Sequence, residues 1–300
     1  MTMTAAFDLQ SHRGARGLLP ENTLAGFARA IALGVTTLET DLAITRDGVV
    51  VLSHDPVLNP VITRGPDARW LPAPGPAIVS VTLDELRRFD VGRIDPASAY
   101  ARQFPDQLPV DGARIPTLDE LFALPAATAR PPRYNLEIKT SPERPHETVD
   151  PVAFARAVVD TVREAGVASR TTIQSFDWRG VIAARKLAPE LETSCLTMDT
   201  PEVSNLRNAN WLAGIDPAEH GGSVPWLVAA TGSRTWSPYW RNLDAAAVAQ
   251  AHGLGIKVVP WTVNAPADMA GMIDLRVDGL ITDYPDRALQ VLASKGIAAR

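Results

Sequence analysis

The chain has 300 residues, 46% of them hydrophobic, with a formal net charge of −5 and a pI near 5.6. That suits two small domains or one large α/β barrel. It excludes nucleic acid as an expected partner, since no basic tract is present, and stable membrane insertion, since no apolar run approaches the ~18 residues of a bilayer span. The N-terminal MTMTAAFDLQ has neither a basic start nor a long apolar stretch, so a cytoplasmic protein is expected, or a periplasmic one if a leader was removed. A single cysteine, Cys195, rules out an intrachain disulfide, argues against a Cys-based metal centre, and is read as a buried, inert thiol.

In chain order, residues 7–11 read as a strand. A helix follows over 23–33, with apolar Leu24, Phe27, Ala28 and Ile31 at helical spacing, Asn22 or Thr23 as its cap and Gly34 as its stop. Strands over 36–44 and 49–54 are separated only by Thr45-Arg-Asp-Gly48. A connection that short cannot cross over, so the pair is expected to be an antiparallel hairpin. Residues 56–116 are crowded with Pro and Gly and read as an insertion, with one helix signal at 82–89. Further on come helices at 117–124, 151–164, 178–187, 243–252, 266–273 and 287–295, and strands at 133–139, 171–176, 193–197, 256–263 and 279–282. The stretch 205–232, rich in Trp and Gly, gives no clear pattern. Strand–helix alternation over this length predicts an irregular TIM (β/α)8 barrel with an insertion after the third strand. A doubly wound sheet is disfavoured because no G-x-G-x-x-G turn follows Ser11.

Chemistry-bearing residues cluster at predicted strand ends. Glu39 and Asp41 share one strand face, opposite Leu38 and Thr40. Two carboxylates side by side in a fold repel unless a cation lies between them, so they are read as ligands of a hard divalent ion, Mg2+ or Ca2+, or as a solvent-facing acidic pair. A hairpin turn centred on Arg46-Asp47 sets His54 opposite Glu39, and a slip of one residue would turn it outward. Glu137, Lys139 and Asn135 share a face of a later strand; Glu137 offers a third oxygen ligand and Lys139 a positive charge near a phosphate. His12 can exchange protons, Arg13 presents a planar fork for phosphate oxygens, and Gly14 permits a sharp turn. Trp261 is either an apolar wall over a ligand or core, Phe176 is read as core, and His146, His220 and His252 as solvated or structural.

These residues stand in motifs: His12-Arg-Gly, Pro20-Glu-Asn-Thr23, Glu39-Thr-Asp41, Thr45-Arg-Asp-Gly48, His54-Asp55, Leu136-Glu-Ile-Lys139, Gln174-Ser-Phe176, Trp261-Thr-Val-Asn264 and Asp278-Gly-Leu-Ile-Thr-Asp283. In this order, over nearly the whole chain, the set resembles the glycerophosphodiester phosphodiesterases. The resemblance implies a single TIM-barrel domain over 1–300, with 56–116 capping the C-terminal face of the barrel. It implies metal-dependent hydrolysis of glycerophosphodiesters to sn-glycerol 3-phosphate and an alcohol, within lipid and glycerol metabolism. By the same match Glu39, Asp41 and Glu137 hold a divalent metal, Mg2+ or Ca2+, His12 and His54 are the acid–base pair, and Arg13 and Lys139 contact phosphate. Asn22 matches a supporting position. The insertion is where the alcohol would be selected. The rival activity is that of a lysophospholipase D on the same scaffold, with Trp211, Trp226, Trp236 and Trp240 as sources of an apolar groove. A catalytically silent phosphate-ester sensor is disfavoured because each catalytic-type position is filled. Homo-oligomerisation is left open.

Overall fold

The computed structural model describes residues 7–124 and 131–299. Its strands are β1 (Asp8–Ser11), β2 (Thr37–Ile44), β3 (Val50–Leu52), β4 (Arg133–Ile138), β5 (Thr171–Ser175), β6 (Glu192–Thr197), β7 (Thr235–Pro238), β8 (Lys257–Val258) and β9 (Gly279–Thr282). All but β3 run parallel, in the order β8-β7-β6-β5-β4-β2-β1-β9. The two ends of that order meet, because the amides of Asp278 and Ile281 donate to the carbonyls of Val258 and Pro260, each at 2.9 Å. The sheet is thus a nearly closed barrel of eight parallel strands, the expected TIM-like fold. The antiparallel hairpin is also present, with β3 paired to β2 outside the ring.

The helices are α1 (Leu24–Leu33), α2 (Leu83–Leu86), α3 (Leu118–Phe122), α4 (Pro151–Glu164), α5 (Trp178–Leu187), α6 (Val224–Thr231), α7 (Ala245–Gly253), α8 (Pro266–Asp274) and α9 (Pro285–Ser294). Local chemistry sets their ends. The Thr23 side chain accepts from the Gly26 amide at the start of α1, and Gly34 closes it in the left-handed conformation; such a cap is worth about 1 kcal/mol. In α4, Asp150 caps, Pro151 opens, and Phe154, Ala155, Val158, Val159 and Val162 form the buried stripe. Phe27, Leu38, Leu136, Phe154, Trp178 and Leu280 belong to the main core between strands and helices. Each large side chain buried there contributes about 1.5–3 kcal/mol. A second, smaller core joins Ala43 and Val51 of the hairpin to Leu58, Ile78, Leu86, Val91 and Ile115. The insertion therefore packs as a unit on the outer face of the hairpin, although its sequence shows only one helix signal. No described helix is long and apolar enough to cross a membrane.

Four features differ from expectation. β7 and α6 are absent from the sequence reading. Thr-Trp-Ser-Pro is only four residues long and buried at all four positions, so its alternation is too brief to stand out, and its proline mimics a turn signal. The strand expected over 256–263 pairs regularly only at Lys257 and Val258, because Pro260 has no amide to donate. The hairpin register is Leu42↔Leu52, centred on Asp47, one residue away from the expected pairing.

Candidate active site

Register brings the carboxylates together. Asp41 lies beside Glu137 and Glu39 beside Asn135 on adjacent parallel strands, and Glu137 beside Gln174 on the next. Neighbours in register point to the same side. Glu39, Asp41 and Glu137 are all buried, and one ligand oxygen from each lies within 4.8 Å of the others. An amide layer sits next to them. Asn135 Nδ2 donates to Gln10 Oε1 (2.7 Å) and Gln174 Oε1 (3.0 Å), and Gln174 Nε2 donates to Glu39 Oε1 at 3.0 Å.

Cations flank the acids. Arg13 Nη1 donates to Glu21 Oε1 at 2.9 Å, and its Nε lies 3.0 Å from Asp41 Oδ2. Lys139 Nζ is 3.0 Å from Glu137 Oε1 and 3.3 Å from Asp41 Oδ1. Asn22 Nδ2 donates to Asp41 Oδ2 at 3.1 Å, while its carbonyl accepts from Thr40 at 2.9 Å. The turn that presents Arg13 needs Gly14: its φ is +90°, and a Cβ there would stand 2.9 Å from the Gly26 carbonyl carbon. The amide of Arg13 reaches Glu39 Oε2 at 3.1 Å from this turn.

The electrostatics fit a bound cation. Burial, then the charges of Asp41 and Glu137, push the Glu39 carboxyl well above its usual range. Burial also raises Glu137 to about 7, with Lys139 opposing and Asp41 assisting. Burial works against Asp41 too, but Arg13 and Lys139 outweigh it and hold that carboxyl well below the ordinary range. Asp41 Oδ1 is buried and accepts no hydrogen bond. Three converging carboxylates, with Lys139 at 3.3 Å the nearest cation to the un-hydrogen-bonded Asp41 Oδ1, form a hard, all-oxygen donor set that a divalent cation would satisfy.

Each candidate histidine is backed by an acid. His12 Nδ1 is 2.7 Å from Asp283 Oδ1 and its Nε2 is 4.0 Å from Glu39. His54 Nδ1 is 2.9 Å from Asp55 Oδ1, and Asp55 is held in turn by Asn59 Nδ2 at 2.7 Å. Burial, reinforced by Arg16, lowers His12 to about 4 against the pull of Asp283. Burial and Lys139 likewise lower His54. Both rings are therefore neutral at pH 7, with Nδ1–H donated to the carboxylate and Nε2 left as an acceptor. Despite the register slip His54 faces inward, because after the last cross-strand bond, from the Ser53 amide to the Asp41 carbonyl, the chain bends at His54 itself.

His12, Arg13, Glu39, His54, Glu137 and Lys139 line an inner pocket of about 150 Å³, which shares His54, Glu137, Lys139, Phe176 and Trp261 with an outer groove of about 630 Å³. Trp261 walls both; its Nε1 donates to the Ser237 carbonyl at 3.0 Å, and Phe176 meets it edge-on at 5.2 Å. Phe176 is thus wall rather than core. The rest of the groove comes from the loops after β4 and β6, including Glu143, Met198, Val203 and Trp211, whereas Pro56 alone represents the insertion. Trp236 is core and Trp226 lies exposed elsewhere on the surface. His252 has an acidic partner that its helix setting did not suggest, Asp278 at 2.9 Å, on the far side of β9 from the site.

Sequence reasoning missed Asp283, Arg16 and Glu21 as members of the site. Arg16 clamps Asp283 through Nε (2.8 Å) and Nη2 (3.0 Å). Two signals were available: Glu21 and Asp283 stand in motifs that carry the resemblance, and Asp283 follows β9, at the barrel end where active sites are built.

An eight-stranded parallel barrel with buried carboxylates, paired cations and acid-backed histidines at the C-terminal ends of its strands defines a barrel enzyme of phosphoester chemistry. The match to a family model places it more narrowly: residues 12–287 fit the glycerophosphoryl diester phosphodiesterase family, and the chain belongs to it. A glycerophosphodiester phosphodiesterase of Caldanaerobacter subterraneus is 27% identical over 287 residues, covering 95% of this chain and 98% of that one. A crystal structure from Silicibacter pomeroyi, provisionally assigned as a glycerophosphoryl diester phosphodiesterase, is 37% identical with a TM-score of 0.88, covering 99% of this chain and 96% of the other. An Oleispira antarctica phosphodiesterase, solved with the product sn-glycerol-3-phosphate, shares the fold at 20% identity and a TM-score of 0.67, covering 95% and 96% of the two chains.

Proposed function

We propose that this protein hydrolyses glycerophosphodiesters to sn-glycerol 3-phosphate and an alcohol, using His12 and His54 as its acid–base pair. The observation that carries this reading is the convergence of Glu39, Glu137, Arg13, Lys139 and two acid-backed imidazoles on one pocket, with Asp41 clustered against the two glutamates. The Oleispira product complex supports the same product here.

Glu39, Asp41 and Glu137 would hold a divalent cation, Mg2+ or Ca2+, which when bound supplies charge neutralisation at the phosphate oxygens. Arg13 and Lys139 contact those oxygens as well and stabilise negative charge that grows in the transition state. One imidazole, neutral, takes the proton of the attacking oxygen at its free Nε2, and the other, in the fraction of molecules where it is an imidazolium, gives its Nε2 proton to the departing alcohol. The attacking oxygen is water, or the glycerol 2-hydroxyl, which would give a cyclic phosphate that water then opens. The inner pocket takes the glycerophosphate, and Trp261 and Phe176 hold the diester at the mouth of the groove. The alcohol lies between the loops after β4 and β6. Residues 1–300 act as one catalytic domain, with residues 56–116 capping the barrel beside its first and last strands; Leu108 N bonds Leu18 O at 2.9 Å and Arg287 pairs with Asp106 at 3.0 Å in support.

The test is release of glycerol 3-phosphate by metal-stripped protein from a panel of glycerophosphodiesters, with each divalent ion restored singly. Turnover that needs Mg2+ or Ca2+ supports the reading; no turnover with any ion rejects it. The rival lysophospholipase D reading draws on the apolar Met198, Val203 and Trp211 in the groove. It predicts a lysolipid turned over faster than glycerophosphocholine.

A further inference from the structure

The insertion reaches the catalytic layer through one side chain. Tyr100 lies just before the short turn Ala101–Gln103 of the insertion. Its hydroxyl donates to Glu21 Oε2 and accepts from Arg16 Nη1 at 3.0 Å. From that oxygen two chains of contacts run inward. Glu21 accepts from Arg13, whose Nε stands 3.0 Å from Asp41. Arg16 grips both oxygens of Asp283, which in turn holds His12 Nδ1. Phe104 packs edge-on against Tyr100 at 5.1 Å and lies under the Arg16 guanidinium at 4.7 Å. Gln107 Nε2 donates to the Arg16 carbonyl at 2.7 Å.

Arg13 and Arg16 are like charges, each held by its own acid on the barrel, Glu21 and Asp283, and the Tyr100 hydroxyl bridges the two pairs. A hydroxyl is suited to the junction because it donates and accepts at one atom: it gives its proton to the acid that holds one arginine and receives one from the other. Burial and the Glu21 charge keep the phenol protonated, raising its pKa above the ordinary value.

We propose, resting on the hydrolase reading above, that Tyr100 is a positioning residue for the reaction: its hydroxyl, seated between Glu21 and Arg16, fixes Arg13 and the Asp283–His12 pair at once. The insertion thereby completes the active site rather than choosing the alcohol.

The test is Tyr100→Phe, which removes one oxygen and keeps the ring. Small displacements of catalytic groups cost up to ~10²-fold, so kcat for a glycerophosphodiester falls by roughly 10–100-fold, with a smaller change in KM. In proton NMR the downfield Nδ1–H signal of His12, assigned by its loss in His12→Asn, is lost to exchange with water. Ile78→Val loosens the insertion's own core without touching this network; it lowers Tm and leaves kcat and the signal at wild-type values. Tyr100→Phe behaving like Ile78→Val, with a lower Tm but wild-type kcat and proton signal, overturns the proposal. Should Tyr100→Phe fail to fold, Glu21→Gln weakens the same junction from its other side and is held to the same two outcomes. If the protein turns over no glycerophosphodiester, the hydrolase reading falls, and the NMR signal still decides whether Tyr100 orders His12.

Discussion

Glu137→Gln should make the metal-free protein more stable while abolishing its response to metal. Glu137 is buried beside Asp41, and its carboxyl is raised from an ordinary 4.5 to about 7. A raised carboxyl binds its proton more tightly folded than unfolded. Between those two values the folded state carries the extra proton, so stability falls as pH rises from about 4.5 to about 7 and stays low above it. A shift of that size corresponds to about 3 kcal/mol of destabilisation at pH 8. Glutamine removes the charge and keeps the shape. It weakens the Lys139 contact, now 3.0 Å, at a cost of about 1 kcal/mol. The net gain at pH 8 in EDTA is then about 2 kcal/mol, or about 4 °C in Tm. At pH 5.5 the gain largely disappears, since the wild-type carboxyl is protonated there. With Mg2+ or Ca2+ at a hundredfold over Kd the wild type gains about 2.7 kcal/mol and the variant does not. Thermal melts at two pH values, with EDTA and with each ion, decide this. A variant less stable than wild type in EDTA at pH 8, or one that gains as much from metal, would refute the reasoning.

His12→Asn and His54→Asn should each lower kcat by ~10²–10⁴-fold with little change in Tm, and the acid limb of the kcat/KM profile should lie below pH 6.5, because burial lowers both imidazoles; steady-state rates from pH 4 to 9 check both points. Trp261→Leu removes the ring that walls pocket and groove, so KM should rise ~10-fold, about 1.4 kcal/mol of lost contact, with a smaller change in kcat. Burial pushes the Cys195 thiol up to about 11, so a thiol reagent at pH 8 should label it only at the rate of global unfolding, followed by absorbance with and without urea.

Legibility followed sequence distance. The triad was readable because strand periodicity puts Glu39 and Asp41 on one face, and a second strand offered Glu137 in the same way. Helices with caps and one apolar stripe, such as α4 and α5, matched their expected bounds. β7 was not readable, since four residues ending in a proline give too short an alternation to stand out. Phe176 was misassigned because an aromatic that walls a cavity has the local pattern of one in the core. Arg16, Glu21, Tyr100 and Asp283 escaped for a different reason. Tyr100 gains its meaning from Arg16 across 84 positions, Asp283 from His12 across 271 and Arg16 from Asp283 across 267, and no window on the chain spans such pairs; Glu21 lies only eight residues from Arg13, but its other partner, Tyr100, is 79 away.

The His12–Asp283 contact joins the first barrel strand to the last. A chain emerging from the ribosome holds its imidazole, its arginine and its carboxylate triad long before the carboxylate that backs His12 has been synthesised. Until the final strand docks, that ring has no fixed tautomer and Arg16 has no counterion. Partly made or C-terminally clipped molecules would therefore be silent, and turnover would register only chains whose two ends have met.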